Sequence, residues 1–272
     1  MNDKTMDLRA TFGLNTIPFT RELPIEKRWR QESTDRLLGD LREVIDNRMS
    51  AALIGPAGTG KTVVVRMLAD SLPRARFRVS YVKVTSLSKR DMCREIAEAL
   101  GQKPAGQYST LVRRIQSWCV TTTEHDGLRP VLILDEAHDL RPEVLATLRV
   151  LTNFDMDSKL VLSVLLVGQP PLRKMLQRDE LLAVSRRLAH FATLRNLSRD
   201  EARKYANHRL TIAGARQELF DEGAHDALFE CTQGNLRATD RIALRALQLA
   251  AREGLQVVGS NHISIARSEV CP

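Results

Sequence analysis

The sequence predicts an α/β fold, a parallel doubly wound sheet followed by a small all-helical domain, and three observations carry that prediction. Short apolar runs alternate with helical patterns through the first two thirds of the chain, the texture of strand–helix–strand units. A glycine-rich pattern, Gly55-Pro56-Ala57-Gly58-Thr59-Gly60-Lys61-Thr62, falls between one such run and a helix. From Ser198 onward the strand signal fades and helical patterns run to the end. The predicted boundaries are 1–48 for an N-terminal strap and first helix, 49–197 for the α/β domain, and 198–272 for the helical domain.

The elements follow in order. Ala51-Ala52-Leu53-Ile54 is short, apolar and stopped by Gly55, which reads as a strand buried on both faces. A helix follows from Thr62, and Val79 to Val84 reads as the second strand. Ser88-x-x-Asp91 is a capping-box pattern that opens a helix ending near Gly101, and another helix spans about 109–120. Val131-Leu132-Ile133-Leu134 forms the third strand. Pro142 suits the first residue of a helix because its fixed φ fits and its missing N–H would have no partner there. Residues 160–167 read as the fourth strand, and Ser198-x-x-Glu201 is a second capping box at the start of the helical domain.

With 272 residues and 43% hydrophobic side chains the chain can bury a sizeable core. No stretch approaches the ~20 apolar residues of a membrane helix. The start, Met1-Asn2-Asp3-Lys4, leads into no apolar signal core, so a cytoplasmic protein without membrane contact is expected. Cys93, Cys119, Cys231 and Cys271 are widely separated, which predicts reduced thiols and neither a disulfide framework nor a zinc ribbon. The net charge of +8 is local: residues 71–114 hold ten Lys and Arg against three acids, whereas the tail from 199 is balanced at ten against ten. A concentrated basic segment predicts an anionic partner for that surface.

The glycine-rich pattern matches a P-loop. Its glycines let backbone N–H groups curl around phosphate oxygens at a helix N-terminus. Lys61 would neutralise charge on the β- and γ-phosphates of ATP, and the Thr62 hydroxyl would ligate Mg2+. The third strand ends in Asp135-Glu136, which delivers two carboxylates to the sheet edge where the P-loop lies. Asp135 would hold the magnesium ion. Glu136, beside the metal and not bound to it, would polarise the attacking water as general base. Asp135-Glu136-Ala137-His138 also spells the signature of certain helicases, but those need two such sheets and this chain has room for one. His138 therefore reads as a local hydrogen-bonding residue, and the other five histidines lack metal-ligand spacing.

These motifs, with Phe12-Gly13-Leu14 and Pro18-Phe19 at the start, Arg141-Pro142-Glu143, Leu165-Leu166-Val167-Gly168-Gln169-Pro170, Arg186-Arg187-Leu188 and Gly234-Asn235-Leu236-Arg237, resemble AAA+ ATPases. Within them the chain resembles the ExeA-like and transposition-regulator group of the MuB, TnsC and TniB type. The resemblance covers nearly the whole chain and implies a helical lid as the C-terminal domain. It implies that Gln169 is sensor 1, that Arg187 or its neighbour Arg186 is an arginine finger acting on the ATP of an adjacent subunit, and that Arg237 is sensor 2. Two arginines on a helix also suit a solvated face, and Arg237 is one of several arginines on its helix. The Phe12–Phe19 strap, with Pro18, either covers the adenine ring or packs the N-terminus onto the sheet.

A finger acting in trans implies a homo-oligomer, a ring or helical filament closed by ATP and loosened by hydrolysis. Repeated along such an assembly, the segment 71–114 would form a positive track for the backbone of duplex DNA without sequence preference, with Lys89, Arg90, Lys103, Arg113 and Arg114 as contacts. The leading expectation is a DNA-binding regulator of transposition that marks target DNA and meets a transposase, with a target-selector protein as a further partner. The alternatives are an ExeA-like secretion-associated ATPase and a nucleotide-gated scaffold that ignores DNA.

Overall fold

The computed structural model describes residues 7–20, 22 and 24–270, so the first residues of the chain and Cys271 lie outside the described residues. The chain divides into two compact units, residues 1–31, 58–60 and 195–272 in one, and 32–57 with 61–194 in the other.

The larger unit is built on five strands, Ser50–Ile54 (β1), Phe77–Lys83 (β2), Arg129–Asp135 (β3), Ser163–Gly168 (β4) and Leu188–Thr193 (β5). They lie in the order β2-β3-β4-β1-β5 with every neighbouring pair parallel. β1 and β4 are buried along their whole length, as continuous apolar runs between two helical layers must be. One face packs Leu53, Ile133 and Val167 against Leu41 and Leu68 of the helices Glu32–Asp46 and Lys61–Ser71. The other packs Leu132, Leu134 and Leu166 against Met92, Ile96, Leu111 and Ile115 of the helices Lys89–Ala99 and Tyr108–Glu124. Each such fully buried aliphatic side chain contributes roughly 1.5–3 kcal/mol of transfer free energy. The Ser50 hydroxyl accepts the Val164 N–H at 2.9 Å, a side-chain stitch between β1 and β4.

Two expectations are corrected here. The fourth strand begins at Ser163, not at 160, because Phe154 and Lys159 bridge in a turn just before it and Leu160 stands 58% exposed. The sequence also hid β5, an edge strand paired only to β1 whose Leu188-Ala189-His190-Phe191-Ala192-Thr193 buries only Leu188 and Ala192. Arg186 thus caps the short helix Leu182–Ser185 and Arg187 leads into a strand, so the pair does not form a helical face.

The smaller unit contains the helices Leu8–Phe12, Arg199–Ala213, Glu222–Thr232, Leu236–Arg252 and Ser260–Val270. Phe12, Phe19, Phe220, Leu247 and Ile263 share its core, with Phe19 and Phe220 edge to face at 6.3 Å. Ser198 and Glu201 form the complete capping box that the sequence predicts. At the other predicted box, Ser88 caps through its hydroxyl, which accepts from the Asp91 N–H. Gly234 precedes the helix Leu236–Arg252 at φ +71, and a Cβ there would strike the Leu197 carbonyl, so this position requires glycine twice over. Among the described residues no helix is long and apolar enough to cross a membrane. Cys93, Cys119 and Cys231 are free, and burial pushes the Cys93 and Cys119 thiols up to about 12, which keeps them protonated and unreactive.

Candidate active site

Parallel strands bring their C-terminal ends to one edge, and β3, β4 and β1 are consecutive neighbours. The loop after β1, the carboxylates at the end of β3 and Gln169 after β4 therefore meet along that edge, with Gln169 between the other two. The Gly55 N–H donates to the Gly168 carbonyl at 3.1 Å and anchors the first residue of the loop to the end of β4. Gly58 and Gly60 take φ of +81 and +94, the left-handed region that turns successive N–H groups inward. A Cβ on Gly58 would also run into the Asn235 amide, a neighbour within the smaller unit. Pro56 and Ala57 are exposed on the rim, Thr59 is buried and Thr62 is exposed at the start of the helix Lys61–Ser71.

Lys61 is 7% exposed, and its ammonium donates to the carbonyls of Gly55 at 2.8 Å and Pro56 at 2.9 Å. A buried cation needs such acceptors. Phosphate oxygens, being charged, are the stronger acceptors for the same group.

Asp135 is 3% exposed and both its oxygens are engaged: Oδ1 accepts the Glu136 N–H at 2.9 Å, and Oδ2 accepts the Tyr81 hydroxyl at 2.8 Å. Burial and the adjacent Asp135 carboxylate push the Tyr81 hydroxyl above its ordinary range, so it stays a donor. Glu136 is half-buried with φ 59 and ψ 32, a left-handed conformation uncommon for a non-glycine residue. Its Oε2 lies 3.5 Å from Nδ1 of His138, and that nitrogen also faces the Gln169 N–H at 3.4 Å. His138 thus connects the ends of β3 and β4, as a local hydrogen-bonding residue should. Tyr81 and the linking position of His138 between Glu136 and Gln169 are the parts of the site that the sequence did not single out.

The residues present fit a Mg2+ nucleotide. Gly58 and Gly60 hold the positive φ of a loop that turns its N–H groups toward phosphate, and Mg2+ takes one or two protein oxygens alongside phosphates and waters, a demand that the Asp135 carboxylate and Thr62 hydroxyl could meet.

The remaining predicted residues are distributed as follows. Pro18 and Phe19 are buried, Phe19 in the core of the smaller unit beneath the guanidinium of Arg209 at 5.8 Å. Arg237 is exposed, and its backbone N–H donates to the Gly58 carbonyl at 3.2 Å within that unit. Arg186 is exposed, whereas Arg187 forms a bidentate pair with Asp157. Of the basic residues, Arg90 donates to the Gly106 carbonyl, and Arg114 donates to the carbonyls of Lys103 and Ala105, so these two brace the loop between their helices. Lys89, Lys103 and Arg113 are exposed.

A family model described as an AAA domain matches residues 44–176. General secretion pathway protein A from Aeromonas hydrophila is 32% identical over 95% of this chain, and the chain spans 48% of that protein, about half its length. Among solved structures, Cdc6p from Pyrobaculum aerophilum superposes with a TM-score of 0.74 at 18% identity, covering 93% of this chain and 70% of that one. The Aeropyrum pernix ORC1 protein in complex with DNA gives 0.63 at 20% identity, covering 91% and 68%. Residues 44–176 are therefore an AAA-family domain, and the sheet with its helices has the AAA+ P-loop fold.

Proposed function

We propose that this chain, an AAA+ fold whose residues 44–176 form an AAA-family domain, binds ATP with Mg2+ on the loop 55–62 and hydrolyses it at the Asp135–Glu136 edge. The observation that carries this reading is the buried Asp135, fixed through both oxygens at the sheet edge from which the glycine loop also leaves, with the Lys61 ammonium held by two carbonyls of that loop. Thr62 and Asp135 would hold the ion, which supplies charge neutralisation for the transferred phosphoryl group. Glu136 takes the proton of the attacking water, Gln169 orients it, and Lys61 and Arg237 bind phosphate oxygens. Phe19, with Pro18, serves the nucleotide through the packing of the strap.

In this reading Arg187, or Arg186, acts on the nucleotide of an adjacent copy, and ATP assembles the subunits into a ring or filament. The exposed Lys89, Lys103 and Arg113 supply phosphate contacts to duplex DNA, with Arg90 and Arg114 holding the loop that carries Lys103. The chain then acts as a DNA-bound regulator of transposition that meets a transposase and a target selector. Of the three segments proposed, 49–197 serves as catalytic domain and 198–272 as lid, while 1–48 divides, its strap within the smaller unit and its helix Glu32–Asp46 on the sheet. The likeness to general secretion pathway protein A favours a second reading, an ExeA-like ATPase module of a secretion system.

Filter binding of a random-sequence duplex with ATP at low salt tests the leading reading. Duplex binding that falls steeply with salt supports it. ATP turnover without duplex binding would overturn the transposition role and leave the secretion reading.

A further inference from the structure

A cavity of about 390 Å³ is lined by Gln116, Arg149, Val150, Asn153 and Arg187. The Gln116 amide donates to the carbonyls of Val150 at 2.8 Å and Asn153 at 3.2 Å, which leaves the two guanidiniums as the cations of the lining. No aromatic side chain lines it, so it suits phosphate groups better than a base or an apolar ligand. The fork of Arg187 already holds an oxyanion: its Nη1 meets Asp157 Oδ1 at 2.7 Å and Oδ2 at 2.9 Å, and its Nη2 meets Oδ2 at 2.8 Å. Such a fork matches phosphate as well as carboxylate. Its Nε is buried without an acceptor, so the pair with Asp157 leaves one donor unused.

Asp157 is delivered to the fork by an unfavourable backbone. Asp155, Met156 and Asp157 have φ of 49, 53 and 70, three consecutive non-glycine residues in the left-handed region. Exposed apolar side chains belong to the same stretch of chain, Val150 at 40%, Met156 at 94% and Leu160 at 58%.

We propose that Asp157 is an internal carboxylate stand-in in the Arg187 fork, and that the nucleotide phosphates of a second copy of this chain displace it, with Arg149 as the second cation. The proposal rests on the reading of Arg187 as the residue acting in trans. Displacement exchanges one oxyanion for another of higher charge and releases the turn at 155–157. Isolated subunits would hold Arg187 neutralised, and assembly would free it.

The test is ATP hydrolysis per subunit as a function of protein concentration. Asp157→Asn should lower the half-saturating concentration about two- to five-fold, the range that loss of a partly exposed ion pair allows. Arg149→Ala should raise it by a similar factor. An unchanged or raised midpoint in Asp157→Asn overturns the stand-in, and an unchanged midpoint in Arg149→Ala overturns the second cation. ATP-dependent sedimentation gives an independent measurement: the effect of Asp157→Asn should disappear in an Arg187→Ala background, and its persistence there also overturns the proposal. Wild-type hydrolysis by Arg187→Ala at every concentration would instead defeat the underlying trans reading.

Discussion

The Tyr81 hydroxyl on β2 donates a 2.8 Å hydrogen bond to Oδ2 of Asp135 at the end of β3, across 54 residues of sequence. The parallel register sets Tyr81 opposite Ile133 and Lys83 opposite Asp135, which places Tyr81 on the same face as the carboxylate. Tyr81→Phe keeps the ring and removes only this donor. Because the ring is 44% exposed, water can replace part of the bond, and we expect the Mg2+ concentration for half-maximal hydrolysis to rise about two- to ten-fold. A Mg2+ titration at fixed ATP, with fluorescent-nucleotide binding measured in parallel, checks this; superimposable titrations would remove Tyr81 from the site.

Glu136→Gln preserves shape and hydrogen bonding but cannot take a proton. Hydrolysis should fall by about 10²-fold or more while nucleotide binding persists. Lys61→Ala should lose the binding itself. Normal single-turnover hydrolysis in Glu136→Gln would show that the base is another group.

The Glu201 carboxyl is held down to about 2, chiefly by its hydrogen bond with Arg195, and also accepts the Ser198 N–H. A depressed folded-state pKa stabilises above the unfolded value and is lost as pH falls, here between about 4.5 and about 2. Arg195 is largely exposed, so the ion pair is worth under ~1 kcal/mol. Glu201→Gln keeps the capping geometry and removes the charge. Its melting temperature should lie below that of the parent near neutrality and converge with it as pH drops toward 2, and a constant gap would refute the linkage.

Gly234→Ala introduces a Cβ both at positive φ and against the Leu197 carbonyl. Destabilisation of at least about 2 kcal/mol is expected by denaturant unfolding. An alanine variant with parental stability would mean that the turn rearranges freely.

Legibility in the sequence followed distance along the chain. The loop 55–62 and the strand ending in Asp135-Glu136 carry their geometry within a few residues, and both stand where the patterns place them. The strand Leu188–Thr193 did not show, because an edge position lets its side chains alternate without an apolar run. Tyr81 became visible only once β2 and β3 were neighbours, and Arg187 was misplaced on a helix while its partner Asp157 lies 30 residues away. Basic composition foresaw a charged segment but not that Arg90 and Arg114 are spent bracing a loop. Local chemistry is written in short patterns, and strand order and long-range pairing are not.

Glu136 sits at φ 59, where its side chain makes the backbone strain greater than it would be for glycine. At this residue the turn and the proposed chemistry make opposite demands: glycine would ease the turn, and it would remove the carboxylate proposed to act on the attacking water. Under the proposed role of Glu136, thermal selection alone would trade turnover for stability through this single position.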